Sequence, residues 1–456
     1  KAFARAGRAI AEDNSGGGAG GAAAAGAPMS GAPAGAAAQG FGGGRGGANV
    51  LNAAPGDQYR FNWNTPYMLS PHNSSIMYLG GNRLFKSYNH GDTWVASADL
   101  TKNIDRCKVA MMGVAGDFNQ LSKNDGVVSY STIISVNESP VMPGIVWAGT
   151  DDGLLQVSRD GGATFTEVGK NIPGLPANHE YWFSRIETSH FDAGTAYIAV
   201  DGHRSDDLKP YLFVTTDYGR TFKSITGNLP TGNVQVVRQD LKNKDLLFVG
   251  TEFGLYASTN GGGEWKKFMN NLPTVRVDDI LIHARESDLI VATHGRSLWI
   301  ADDISALQQL TPAVTAADAT LLDIRTTVAY QTDQTLGSYL GGQKNWVGEN
   351  APRGAAISYY LKNEATGDVK ITIADATGRV IRTIDGPKTA GLNRVEWNLQ
   401  PDALANAFGG RGGGGGGGRG GAGANVAGSY VVKLQVGGKE YTKTLTVLDD
   451  RWKSGR

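Results

Sequence analysis

Two short stretches concentrate the side chains that could do chemistry. The first is Asp201-Gly202-His203-Arg204-Ser205-Asp206-Asp207, and the second is His294-Gly295-Arg296, followed closely by Asp302-Asp303. Carboxylates, imidazoles and guanidiniums of both signs lie within a few residues of one another there. Arg204, Arg296 and Arg185 are of the type that grips a carboxylate or phosphate through a planar fork of donors. Asp206 and Asp302, if set about 5–9.5 Å from a second carboxyl, have the makings of an acid and base pair for glycosidic cleavage. A plainer use competes with both: Arg–Asp pairs that lock neighbouring structural units together.

These residues are positioned by a repeat. Ser158-Arg159-Asp160-Gly161-Gly162-Ala163-Thr164-Phe165 follows a Ser/Thr-x-Asp-x-Gly-x-Thr-Trp/Phe pattern that returns three times, at 87–94, 215–222 and 258–265. Its acidic or amide position is Asn89, Asp160, Asp217 and Asn260 in turn. Asp and Asn oxygens hold tight turns by accepting from backbone N–H groups about two residues on, and Gly takes the positive-φ place. The four residues therefore read as turn-formers, with the closing Trp or Phe as an apolar anchor between sheets.

A longer period encloses the motif. Taking Asn82, Asp151, Asp201, Glu252 and His294 as equivalent points gives spacings of 69, 50, 51 and 42 residues. Short apolar, β-branched and aromatic runs separated by Gly, Asn, Asp and Pro fill each period, a texture that predicts an all-β fold. Repeats of about 40–50 residues match the blades of a β-propeller, with at least five blade signatures and an insertion at about 101–127 in the first. One end of every blade must then carry the five equivalent residues. They would ring one mouth as a polar ligand site, although turn chemistry alone also selects Asn and Asp there.

The spacing breaks after Leu310. Seven short strands follow between 318 and 450, joined by Gly-bearing turns at 365–368, 376–379 and 436–439. This second unit reads as an immunoglobulin-like β-sandwich, interrupted by a Gly-rich loop at 409–423. Residues 1–14 are Ala-rich and read as a short helix or the tail of a preceding segment. The tract 15–58 reads as a Gly/Ala-rich linker, because it has too little apolar surface to offset its ordering entropy.

Composition narrows the function. Lys plus Arg equals Asp plus Glu at 43 each, so no global field draws in nucleic acid or an anionic membrane. The tracts around Arg45, Arg411 and Arg419 imitate RGG boxes but lack interleaved aromatics, and read as flexible loops. A single cysteine, Cys107, rules out an internal disulfide framework, and with seven histidines no zinc scaffold is expected. No cofactor or metal is expected; a structural Ca2+ has no spaced acidic motif behind it, and Asn124-Asp125-Gly126 reads as a turn. No apolar run approaches the roughly 20 residues of a membrane helix. The chain opens on Lys1 with no signal peptide, which suggests a processed or trimmed chain.

The repeated motif resembles the Asp-box, or bacterial neuraminidase repeat, of sialidases, xyloglucan-degrading propeller hydrolases, photosystem-assembly propellers and the sortilin propeller. The strings Arg60-Phe-Asn-Trp-Asn-Thr-Pro66, Asp201-Gly-His-Arg-Ser-Asp-Asp207, Val249-Gly-Thr-Glu-Phe-Gly-Leu255 and Ala292-Thr-His-Gly-Arg-Ser297 are similar to bacterial sortilin-like propellers, often labelled glycosyl hydrolases. Gly354-Ala-Ala-Ile-Ser-Tyr-Tyr360 and Gly391-Leu-Asn-Arg-Val-Glu-Trp397 resemble flagellar-hook-capping-type immunoglobulin-like domains. The resemblance implies an exported bacterial protein, periplasmic, surface-bound or secreted. Family members are about twice this length, so the chain resembles a C-terminal portion, its ring completed by upstream sequence or a partner chain.

The expected function is binding of a peptide, protein or glycan at the propeller mouth by Arg185, Asp201, His203, Arg204, Glu252, His294 and Arg296. The sandwich would be a spacer or assembly module, and an oligomer is compatible with this. A glycoside hydrolase is the alternative. A sialidase-like site would need three arginines with a Tyr–Glu pair, and no such pair can be placed. A xyloglucanase-like site would need two opposed aspartates; several Asp are present, Asp206 and Asp302 among the candidates, and the sequence singles out no pair. A structural cell-surface or assembly protein is the remaining reading.

Overall fold

The computed structural model describes the backbone at 5–6 and residues 59–104, 130–330, 353–402 and 426–451. The linker at 15–58, most of the insertion at 101–127, Cys107, Asn124-Asp125-Gly126, the loop at 409–423, and Arg45, Arg411 and Arg419 lie outside the described residues.

Five four-stranded antiparallel sheets follow one another along the chain. The strand β1 (Arg5–Ala6) stands apart at the start. The first sheet holds β2 (Tyr67–Leu69), β3 (Met77–Gly80), β4 (Arg83–Ser87) and β5 (Val95–Asp99). The second holds β6 (Ile133–Glu138), β7 (Val146–Thr150), β8 (Leu155–Ser158) and β9 (Thr166–Glu167). In the third are β10 (Trp182–Thr188), β11 (Ala196–Asp201), β12 (Tyr211–Thr215) and β13 (Lys223–Ser224). In the fourth are β14 (Val234–Gln239), β15 (Leu247–Thr251), β16 (Gly254–Ser258) and β17 (Lys266–Lys267). The fifth contains β18 (Val277–Ile282), β19 (Leu289–Thr293) and β20 (Leu298–Ala301), with β1 as its outer strand, Arg5 opposite Ile300 and Ala6 opposite Trp299. Arg5 and Ala6 thus pair as a strand within the stretch expected to be helical, because the open edge of β20 supplies ladder partners that a short isolated helix lacks.

The sheets are arranged as the blades of a β-propeller. The first four run from their first strand outward in chain order, the fifth does so through β18, β19 and β20 before β1, and the first strands of successive sheets lie against one another from β6 to β18. Alternation of side chains gives every blade two apolar faces, and the cores form between blades. Leu84 joins Ile133, Val146 and Ala148 of the second blade. Leu155 joins Phe183, Ile186 and Ile198 of the third, and Leu255 joins Val277, Ile280 and Val291 of the fifth.

The repeated motif makes the hairpin between the third and fourth strands. Asp160 Oδ1 accepts from Ser158 Oγ (2.7 Å) and from the N–H groups of Ala163 (3.1 Å) and Thr164 (2.9 Å), while Oδ2 accepts from Thr164 Oγ1 (2.5 Å). Asp217 repeats this with Thr215, and with the N–H and hydroxyl of Thr221. Asn89 does so with Ser87 and Thr93, and Asn260 with Ser258 and Glu264. The bonds span three and four residues rather than the two expected, because the hydroxyl two residues before the Asp or Asn takes up the nearer N–H groups, as Ser158 Oγ does from Asp160 and Gly162.

Two short helices, α1 (Ser305–Gln308) and α2 (Pro312–Ala316), lead out of the fifth blade, the second opening on Pro312 after Thr311, whose side chain accepts from Val314 N. The second unit is a β-sandwich. One sheet has three strands: β21 (Ala319–Leu321), β23 (Ala355–Leu361) and β26 (Gly391–Trp397). The other has five: β22 (Thr327–Ala329), β28 (Lys439–Asp449), β27 (Gly428–Val436), β24 (Lys370–Ala374) and β25 (Val380–Asp385). Tyr359, Trp397, Ile371, Val432 and Leu445 share its core. Gly437 and Gly438, at φ 55° and 74°, form the two-residue turn joining β27 and β28. Arg394 of the sandwich donates to the Asp303 carbonyl oxygen (3.3 Å), and Arg325 bridges to Glu286 (2.9 Å).

Because the cores lie between blades, Leu212→Ala, at a position without solvent exposure, is expected to cost about 2–5 kcal/mol, read as a lower denaturation midpoint with unchanged m.

Candidate functional site

The second strand of each blade ends on Asp201 or one or two residues before Asn82, Asp151, Glu252 and His294, so all five lie at corresponding ends of their sheets. Two of the five are consumed by the scaffold. Asn82 Oδ1 accepts from Arg60 N (3.0 Å), and its amide donates to Asp99 (2.7 Å). Asp151 is fully buried, accepting from the N–H and hydroxyl of Thr132 (both 2.7 Å) and from Asn62 Nδ2 (3.1 Å).

Asp201 anchors the most elaborate of these corners. β11 ends on it, and His203–Ser205 form a single 3-10 turn closed by Asp206 in the left-handed region at φ 58°. A side chain at Gly202 would be tight, since a Cβ there would come to 3.0 Å from the Tyr181 ring and 3.1 Å from Asp207. The Asp201 carboxylate accepts from His203 N (2.9 Å) and Gln235 Nε2 (3.1 Å), and both its oxygens lie 2.8 Å from His203 Nδ1. Burial raises its pKa, but the bonds and charge of His203 outweigh that and hold it below the ordinary carboxylate value. Arg204 sits 3.8 Å from the same carboxylate, its guanidinium 3.4 Å over the Trp182 ring. That stack holds the fork flat against an aromatic face.

Beside it, Asp207 accepts from Tyr181 Oη (2.8 Å) and Tyr211 Oη (2.7 Å). Burial, then hydrogen bonding to Asp207, pushes the Tyr211 phenol up to about 12. His179 packs on Tyr181 and accepts a hydrogen bond from Tyr181 N at Nδ1. Burial, followed by the charge of Lys102, lowers its pKa to about 4, so it is neutral near pH 7.

The structure thus brings Asp201, His203 and Arg204 together, with Asp206 exposed at the rim. It separates the other expected residues. Glu252 is half-buried at the neighbouring corner of the fourth blade. His294 is exposed, 3.3 Å from Asp278, which in turn accepts from Arg276 Nε (2.6 Å). Arg296 is exposed beside it. Arg185 points its guanidinium at Asp279 (2.9 Å) of the fifth blade, and Arg238 of the fourth bridges Asp279 (3.3 Å) and Glu187 (2.7 Å). Asp302 follows β20, which runs antiparallel to β19, so it lies at the end of the fifth blade opposite His294 and borders a small polar cleft with Arg325 and Arg394 of the sandwich. Asp206 and Asp302 are therefore at opposite ends of their blades.

Trp182, Gln235, Tyr181 and Tyr211 belong to the corner and were not singled out by the sequence. The Tyr181-Trp182 doublet where β10 begins was the available signal. No group of three or more metal-ligating side chains occurs among the described residues, and no described helix is long and apolar enough to cross a membrane.

No family model matches the sequence, and no curated protein matches it. Solved structures similar to it include an ancestral GH74 enzyme, at 16% identity over 72% of this chain and 38% of that one with a TM-score of 0.38. The GH74 xyloglucanase from Xanthomonas campestris gives 16% identity, 66% and 42% coverage, and a TM-score of 0.37. YCF48 from Cyanidioschyzon merolae gives 13%, 50% and 64%, and 0.34. The chain spans 38% of the first of these structures, 42% of the second and 64% of the third. The propeller architecture rests on the chain's own five sheets.

Burial, aided by the neighbouring Asp152, raises Asp151 from 3.8 to about 7 against the opposing bonds from Thr132 and Asn62. A carboxyl whose pKa is higher in the folded state stabilises the fold fully below its unfolded value and loses that contribution as pH rises through the folded one. Unfolding free energy is therefore expected to fall between pH 4 and 7, and Asp151→Asn is expected to flatten that slope in denaturant titrations.

Proposed function

We propose that this chain is a ligand-binding propeller of the Asp-box, sortilin-like type, exported, with an immunoglobulin-like sandwich as spacer or assembly module. Its ligand is a peptide, protein or glycan, held where Asp201, His203, Arg204 and Trp182 meet, with Glu252, His294 and Arg296 on neighbouring corners.

One observation favours binding over hydrolysis. A glycosidase needs one accessible carboxyl held up as an acid and a second ionised nearby. At this corner, Asp201 and Asp207 are both held below the ordinary value and saturated by internal donors. Among the described residues the carboxyl that is pushed up, Asp151, is sealed from solvent. What the corner presents is a guanidinium flattened on an indole, a surface suited to a carboxylate or to a planar or ring-shaped group.

Two experiments test this together. On an array of immobilised peptides and oligosaccharides, Arg204→Ala is expected to weaken retained binding about tenfold or more, consistent with loss of a desolvated stack and a charged bond. Arg204→Lys restores charge without the flat fork and is expected to recover little. In parallel, a screen for released reducing ends is expected to register no turnover; turnover that disappears in Asp206→Ala or Asp302→Ala would replace the binding assignment with a hydrolytic one.

A further inference from the structure

The ladder registers make the five blades comparable residue by residue. Opposite Gly80, Gly149, Ala199, Gly250 and Ala292 stand Leu84, Leu155, Leu212, Leu255 and Leu298, a leucine in every blade. The first four are buried in the core shared with the following blade, whereas Leu298 is 46% exposed. The first strands behave in the same way. Asn137 donates to the Ile186 carbonyl oxygen, Glu187 accepts from Arg238, and Arg238 donates to the Ile280 carbonyl oxygen, each reaching into the next blade. The equivalent residue of the fifth blade is Leu281, 55% exposed.

The first blade shows the converse. Ile186, Val237 and Ile280 occupy one register position, opposite Ile198, Val249 and Val291, and each is buried against the preceding blade. At that position the first blade has Tyr67, opposite Leu79, and Tyr67 is 76% exposed, with Leu69 open on the same face. Tyr59 and Phe61 pack on Phe85 of that face but leave Tyr67 and Leu69 uncovered. Each such side chain forgoes about 1.5–3 kcal/mol relative to full burial.

We propose that these faces are the two halves of one further blade-to-blade contact, and that a second copy of this chain fills it head to tail, the fifth blade of one copy against the first blade of the other. Continuity with the four existing contacts carries this. Both halves are on one chain, so the contact is heterologous and passes head to tail from one copy to the next. The chemistry also matches. Where the second, third and fourth blades offer Asn137, Glu187 and Arg238 to polar partners, the fifth offers Leu281, and its counterpart Tyr67 is apolar in body with a hydroxyl that can stay wet. By the repeat, Leu281 meets Tyr67 as Arg238 meets Ile280.

Sedimentation velocity over a roughly hundredfold concentration range tests the assembly by mass action. The 456-residue chain is expected to pass from monomer to particles of two or more copies as concentration rises. Leu298→Arg and Tyr67→Asp, both at exposed positions, are each expected to hold it at monomer mass with an unchanged circular dichroism spectrum. In a Cys107→Ser background, Leu281→Cys chains mixed with Tyr67→Cys chains are expected to form a disulfide-linked pair on oxidation, and neither variant alone to do so. A monomer at every concentration, an assembly indifferent to both charge variants, or cross-linking in single-variant samples overturns the proposal.

Discussion

A twisted four-stranded sheet with apolar side chains on both faces cannot be stable alone in water, and everything else in this molecule answers to that. Its hydrophobic cores belong to pairs of blades: Phe183 and Ile186 of the third blade pack with Trp147 and Leu155 of the second, and Trp265 of the fourth with Leu212 of the third. Stability is therefore a sum of nearest-neighbour contacts along the series. The same constraint gives meaning to exposure at the two ends, where Leu298 and Tyr67 hold register positions that are covered in the interior blades.

Packing face to face leaves the angle between blades to be set, and polar groups near the first strands contribute to this. Glu187, Arg238, Asp279 and Arg185 form a chain of charge running across the third, fourth and fifth blades. Burial raises the Glu187 carboxyl pKa, and the charge of Arg238 with the His190 contact overcomes it. Such a network returns little net stability for its desolvation, but the fork geometry of each arginine is directional in a way that apolar contact is not. Arg185 is thereby drawn out of any ligand site and into the frame.

The same economy governs the carboxylates. Asp160 and Asp217 close hairpins, Asp151 fastens the second blade to Thr132 and Asn62, and Asp207 ties two tyrosines together. Each accepts several donors, which favours the ionised form at Asp160, Asp217 and Asp207, whereas at Asp151 burial outweighs them. The proposed ligand site lies instead at the corner where the Arg204 guanidinium stacks on the Trp182 ring.

The period of the Asp/Asn turn and the two-residue alternation of the strands were legible in the chain, and they determined the all-β repeat, the number of blade signatures and the corners occupied by Asn82, Asp151, Asp201, Glu252 and His294. These are local properties: a turn closes over three or four residues and a strand alternates by two, so neighbours in sequence carry the information. The grouping of His203 and Arg204 about Asp201 was legible for the same reason, since all three lie within one turn. Only the tertiary structure decided that Arg185 spends its charge on Asp279, that Trp182 lies beneath Arg204, that Asp206 and Asp302 face opposite ends of their blades, and that Asp151 is sealed. Those outcomes depend on which blade faces which and on the antiparallel reversal between strands, long-range pairings that no local spacing encodes.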